Sequence, residues 1–179
     1  MSEQYKRLER KLIHEGSIID LYQDVIEVAN GNVVKWDFIA HKGAAAVVPV
    51  TNEGKILMVR QYRNALDCET LEIPAGGLDE PDEPTLFAAR RELEEETGYK
   101  SDHIKFLISI RTAVAFCNEK IDIYVATNLV KTQQNLDEDE FIEVEEYTVD
   151  ELVKMIFEGK IVDNKTISAI FAYKSKYSV

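Results

Sequence analysis

The chain has 179 residues, 45% hydrophobic and 30% charged, the balance of a soluble globular protein with one ordinary domain, or one domain and a small appendage. Its 21 lysines and arginines stand against 33 aspartates and glutamates, a formal net charge of −12 at pH 7. Such a field repels nucleic acid and anionic membrane surfaces, which argues against a phosphate-backbone binder and requires cations or well-placed arginines for any small anionic substrate.

The N-terminus, M-S-E-Q-Y-K-R-L-E-R-K, is charged and lacks the apolar stretch of a signal peptide. No run approaches the roughly 20 apolar residues that span a bilayer. Cys68 and Cys117 lie far apart without zinc-type spacing, which suits reduced thiols in a cytoplasm. Ser17 to Val28 and Val33 to Ala40 read as β-rich runs around Asn30-Gly31, a strong hairpin signal. Alternation at Ile19, Leu21 and Val25 is imperfect, so a bulge or register change is expected. A lone hairpin is marginal in water and must pack on its own chain or on a second copy. Trp36, on this hairpin, is expected in core packing.

From about residue 41 the chain reads differently, which divides it into an extension over residues 1–40 and a domain over residues 41–179. Gly43 to Val50 and Lys55 to Arg60 read as strands around the turn Asn52-Glu53-Gly54. The segments V-R-Q-Y-R, with Arg60 and Arg63, and L-E-I-P-A-G-G, with Glu72, Ala75, Gly76 and Gly77, follow. Either arginine alone is an ordinary strand-end charge. Two of them beside an acidic stretch suit a diphosphate, which a guanidinium binds bidentately.

The stretch Gly77 to Tyr99 predicts a turn feeding a helix from Pro84 to Thr97, with Asp82 and Glu83 at the positive end of the dipole and Gly98 as a left-handed cap. Glu92, Glu95 and Glu96 fall on one face, beside an apolar stripe of Leu86, Ala89 and Leu93. Like charges at this spacing repel by a few tenths of a kcal/mol, so the face is a poor choice for stability alone. A bound hard cation, for which carboxylate oxygens are the natural donors, reverses that sign. A solvated acidic helix paired with Arg90, Arg91 and Lys100 is the plainer alternative.

Farther on, Lys105 to Ile110 and Ile121 to Thr127 fit strands on either side of A-V-A-F-C-N-E, residues 113–119. Asn135 to Glu140 is an acidic loop, Phe141 to Tyr147 a strand, and Thr148 to Glu151 a capping box opening a helix that stops at Gly159. A final helix is expected over Asn164 to Lys176, with Ile167, Ile170 and Phe171 facing the core. His14, His41 and His103 are scattered and read as structural or surface residues.

Gly77, five residues, Glu83, seven residues, Arg91-Glu92-Leu93, one residue, Glu95-Glu96, one residue and Gly98-Tyr99 together match the Nudix box. Its seven specified residues and two apolar slots arise by accident about once in a billion placements at average composition. The chain therefore resembles the Nudix hydrolases, which use Mg²⁺ or Mn²⁺ to cleave a nucleoside diphosphate linked to another moiety. V-R-Q-Y-R and E-I-P-A-G-G resemble the ADP-ribose pyrophosphatase branch of that family, and the resemblance covers about residues 40 to 175. Switching between strand and helix periods supports an α/β class. The resemblance implies its form, an α/β/α sandwich with a mixed β-sheet, the box helix on one face and the C-terminal helices on the other, plus an N-terminal antiparallel β appendage that packs across a homodimer.

By resemblance, Glu92, Glu96, the Ala75 carbonyl and Glu140 hold two or three metal ions, and Glu95 stands by as ligand or water-orienting group. Arg91 and Glu83 brace the loop and helix, with Gly77 and Gly98 shaping them. Arg60 or Arg63 contacts substrate phosphates, Glu72 and Gly76 lie in the site, and Glu138 is the general base. Glu119 follows a loop that departs from the branch's commoner S-P-G-F and takes a supporting role at most. The implied reaction converts ADP-ribose to AMP and ribose 5-phosphate in the cytoplasm, with neither nucleic acid nor membrane as partner. G-L-D-E-P-D-E-P also resembles nucleotide-sugar pyrophosphatases acting on GDP-mannose. A non-catalytic module sensing ADP-ribose is a further alternative, disfavoured by the intact box. A calcium-buffering protein is disfavoured because no D-x-D-x-D-G loop occurs.

Overall fold

A run of three alanines, two valines and a proline forms the central strand, β4 (Ala44–Pro49), and every one of its residues is buried. A strand with both faces covered loses polar alternation, which is why this one reads as a continuous apolar run. The computed structural model describes residues 4–138 and 140–177. Met1–Glu3 of the charged N-terminus and Asp139 of the acidic loop lie outside the described residues.

Two compact units are present, one comprising the described residues up to Gly43 with Arg111–Lys120, the other Ala44–Ile110 with the described residues from Ile121 onward. The first carries an antiparallel sheet of β1 (Tyr5–Glu15), β2 (Asp20–Val28) and β3 (Val33–Ala40), in that order. Asn30-Gly31 forms the expected turn, Gly31 adopting φ 84° and donating its N–H to the Val28 carbonyl. The sequence reading had no counterpart for β1. All eleven of its residues are exposed, so no apolar periodicity marks it. The β2–β3 hairpin pairs without a register shift from Asp20 opposite Ala40 to Glu27 opposite Val33, so the irregularity expected around Ile19 to Val25 is not in it. Leu8 and Ile13 are bulged out of the β1–β2 register instead. Trp36 is 49% exposed against Tyr5, rather than packed in a core. Segment 113–119 joins this unit through a bridge between Ile39 and Cys117, and Glu119 accepts from Thr112 and faces His41 at 3.6 Å.

In the second unit β4 pairs in parallel with β10 (Lys120–Thr127) and antiparallel with β7 (Ala75–Gly77), giving a mixed sheet ordered β7-β4-β10-β9, with β9 at His103–Arg111. A second sheet is ordered β12-β5-β6, from Glu143–Tyr147, Ile56–Arg63 and Cys68–Glu72. A short pair joins β8 (Tyr99–Lys100) to β11 (Val130–Lys131). Ala45 and Val47 face α1 (Thr85–Thr97), through Ala88, Ala89 and Leu93. Ala44, Ala46 and Val48 face the opposite layer of α2 (Val149–Phe157) and α3 (Asn164–Tyr177), through Leu152, Ala169, Ile170 and Tyr173. Period-two alternation along one strand thus serves both helical layers of the expected α/β/α sandwich.

The capping box at Thr148 is complete, its hydroxyl accepting from the Glu151 N–H while the Glu151 carboxylate accepts from the Thr148 N–H. On α3 the buried residues Thr166, Ala169, Ile170 and Tyr173 define a single stripe. Phe171 stands 100° away from Ile170 and is 38% exposed, edge-on to Phe157, instead of facing the core as expected. Cys68 and Cys117 are both free. Among the described residues no helix is long and apolar enough to cross a membrane.

Candidate active site

Helix α1 begins one residue later than its sequence suggests, Pro84 being extended (φ −62°, ψ 120°) without a side-chain cap. Thr85 fixes the first turn instead, bonding Asp122 at 3.0 Å and Tyr124 at 2.7 Å. Gly98 closes the helix at φ 69°, its N–H donating to the Glu94 carbonyl. The carboxylates of Glu92 and Glu96 are thereby held inside the protein, at 7% and 4% exposure, with Glu95 at the rim.

Burial pushes Glu96 up to about 8, and the neighbouring Glu92 and Glu140 charges add to it, against the Ala75 N–H and Arg63. Burial likewise pushes Glu92 up to about 7, opposed by Arg91 and reinforced by Glu95 and Glu140. Glu140 therefore acts on both carboxylates from the loop after β11. Glu138 is exposed on the same loop.

Arg91 is the hub of the turn. Its Nη1 donates to Glu92 at 2.5 Å and Glu95 at 3.3 Å, its Nη2 donates to the Gly77 carbonyl at 3.0 Å, and Glu83 lies 3.9 Å away. Glu83 in turn accepts from the Asp79 N–H at 2.8 Å. The Ala75 N–H donates to Glu96 at 3.0 Å, which brings the strand preceding the turn against the helix.

Residues 60 and 63 point to opposite faces of β5. Arg60 pairs with Glu145 on β12 at 2.5 Å, whereas Arg63 grips Glu72 with its Nε at 2.8 Å and its Nη2 at 2.7 Å. Arg63 is thus the arginine placed with Glu72, and its charge reaches Glu96. Sequence reasoning missed Lys165, whose Nζ bonds Glu72 from the start of α3. A signal was present, since a lysine on the second residue of a helix opposes the dipole and needs a partner.

The loop bearing Glu138 and Glu140 is suspended from the end of α1. The Thr132 N–H donates to the Gly98 carbonyl at 2.7 Å, the Asn135 N–H to that of Glu95 at 3.0 Å, and Gln134 Nε2 to that of Glu96 at 2.7 Å.

The donor set fits a hard divalent cation. Glu92 and Glu96 are buried oxygen donors, with Glu95 half-buried and Glu140 exposed on the neighbouring loop, and carboxylate oxygens are what Mg²⁺ and Mn²⁺ prefer. Among the described residues no three such side chains are gathered to hold an ion as they stand, for Glu92 leans on Arg91 and Glu96 on the Ala75 N–H. The Glu92 carboxylate lies against the Gly76 backbone. A Cβ on Gly76 would stand 2.1 Å from Glu92 Oε1. Gly76→Ala therefore displaces that carboxylate, and Mn²⁺ affinity measured by calorimetry is expected to fall about tenfold or more. Unchanged affinity separates Glu92 from the ion.

The NUDIX domain family matches the chain over residues 40–169. The chain is 42% identical over 167 residues to the methanol dehydrogenase activator of Bacillus methanolicus, covering 92% of this chain and 90% of that one. It is 40% identical, over the same length and shares, to the ADP-ribose pyrophosphatase of Bacillus subtilis (strain 168). A crystal structure of an ADP compounds hydrolase matches with a TM-score of 0.87 over 98% of this chain and 95% of that one, and at 20% identity this likeness concerns the fold alone.

Proposed function

The chain belongs to the Nudix family, and from that premise we propose that it hydrolyses the pyrophosphate bond of ADP-ribose to AMP and ribose 5-phosphate. The observation that carries the reading is the buried Glu92–Glu96 pair beside Ala75, costly to leave charged in a stable fold and suited to meeting a diphosphate through a cation. The substrate follows the name of the 40% identical relative.

Glu92, Glu96, Glu140 and the Ala75 carbonyl would hold Mg²⁺ or Mn²⁺, two or three ions per site, with Glu95 adjoining. Bound there, the cations supply charge neutralisation on the diphosphate and acidify an attacking water. Arg91 fixes Glu92 and Glu95 in place, and Glu83 supports the turn through the Asp79 N–H. Arg63, with Glu72 behind it and Gly76 alongside, receives the phosphate oxygens. Glu138 accepts the proton as water oxygen bonds to one phosphorus and the bridging P–O bond breaks. Exposure of β1 along its whole length supports a homodimer through the N-terminal strands, and two free cysteines suit a reducing cytoplasm.

A parallel product assay tests the reading, with ADP-ribose, GDP-mannose, ADP-glucose, diadenosine polyphosphates and nucleoside triphosphates in Mg²⁺, with and without chelator. AMP released chiefly from ADP-ribose, and only with metal, is expected. Preference for GDP-mannose overturns the substrate, and no turnover at all turns the protein into a binding module. The identity to a methanol dehydrogenase activator favours a second reading, action on a dehydrogenase. Its measure is the initial rate of methanol dehydrogenase with and without this protein.

A further inference from the structure

Lys165 is the second residue of α3, where a cation meets the positive end of the helix dipole, and it is nevertheless buried. Its Nζ bonds Glu72 Oε2 and, at 3.1 Å, Asp163 Oδ2. The Glu72 carboxylate is fully engaged, with Oε1 accepting from Arg63 Nε and, at 2.6 Å, from Thr70 Oγ1, and Oε2 accepting from Arg63 Nη2 and Lys165. Arg63 is therefore held by two nitrogens along one edge. Among the described residues its Nη1 has no hydrogen-bond partner, and the side chain is partly open to solvent. Three residues beyond Glu72, the Ala75 N–H meets Glu96, so the chain segment that carries this network also touches the buried carboxylates.

We propose that Lys165 is a positioning residue for Arg63: by sharing the Glu72 carboxylate it keeps the guanidinium oriented and leaves its charge available to a nucleoside diphosphate. Arg63 and Glu72 alone cancel. Lys165 offsets Glu72 from the other side, while Asp163 draws part of that lysine's charge away. Removing Lys165 leaves Glu72 to neutralise Arg63 and makes the site more negative by one charge. Removing the charge of Asp163 does the opposite. The inference rests on the proposed diphosphate chemistry and adds to it a residue on a different helix from the box.

Three variants test it: Lys165→Met, which keeps the apolar stem, Lys165→Arg, which keeps the charge, and Asp163→Asn, which keeps an oxygen for the Thr166 N–H that Asp163 now caps. Two experiments are made, steady-state kinetics giving kcat and KM for ADP-ribose with Mg²⁺, and calorimetry giving the affinity for ADP in EDTA. Lys165→Met is expected to raise KM and weaken ADP about tenfold, with kcat within about twofold, since uniform binding is what it loses. Lys165→Arg returns both to within about threefold of the parent. Asp163→Asn tightens ADP a fewfold, a gain that structural damage does not produce. Unchanged ADP affinity in Lys165→Met, a loss in kcat alone, or weaker binding in Asp163→Asn overturns the proposal. Should Lys165→Met fail to fold, the other two variants decide. Should the parent not hydrolyse ADP-ribose, that reading of the reaction falls, while ADP binding in EDTA still decides the role of Lys165.

Discussion

Glu96→Gln lowers ADP-ribose hydrolysis about a thousandfold and raises the melting temperature of the metal-free protein at pH 8. The loss follows from removing one charged donor from a cation worth several kcal/mol of transition-state stabilisation, each 1.4 kcal/mol being tenfold in rate. The gain follows from the sign of the linkage. Glu96 is pushed up to about 8 and Glu92 to about 7, against an ordinary 4.5, so the folded protein binds more protons than the unfolded chain between about pH 4.5 and 8. Over that window stability falls as pH rises. A neutral amide at position 96 removes its own part of the slope and relieves Glu92 as well. Melting curves from pH 5 to 8 in EDTA therefore descend steeply for the parent and gently for the variant. Retained turnover with Mg²⁺, or parallel melting curves, contradicts the placement of Glu96.

Glu72→Ala is expected to cost about 3–5 kcal/mol, because it strands the buried Lys165 and releases Arg63. In a chain of this size that lowers the melting temperature by about 10 °C. Here the pH dependence has the other sign. Burial pushes Glu72 up, but Arg63, Lys165 and Thr70 together hold it down to about 2. Its stabilising contribution is present above about pH 4.5 and is lost as pH falls toward 2. Denaturation at pH 7 and pH 3 should show the gap between parent and variant narrowing at the lower pH. A gap of equal size at both means that Glu72 acts by packing rather than by charge.

Helix α1 was legible because everything that defines it is local: Gly98 as cap, an apolar stripe, and the carboxylates of Glu92, Glu95 and Glu96 on one face. The sandwich was legible only through the resemblance carried by the box, and the unbroken apolar run of β4, covered on both sides, is its physical counterpart in the structure. β1 was not, since a strand exposed on both faces carries no alternation. The Glu72–Lys165 pair was not, since 93 residues separate its partners and only the misplaced charge on a helix start hinted at it. The choice between Arg60 and Arg63 was within reach, for residues three apart on a strand point opposite ways and only one can share a side with Glu72. Trp36 and Phe171 show the converse, large rings that tell of burial by type and yet remain half open in this fold.

The suspension of residues 132–135 from the last carbonyls of α1 gives Glu138, proposed above as the proton acceptor, and the carboxylates proposed to hold the cations a common mounting. When the helix shifts or tilts against its sheet, both sets are carried with it, and the separation between them is set by a few short bonds rather than by the whole domain. Positional error therefore does not accumulate along the path from Glu96 to Glu138. Such an arrangement tolerates slack elsewhere in the protein, in the way that a lens and its slit fixed to one rail stay aligned while the bench moves.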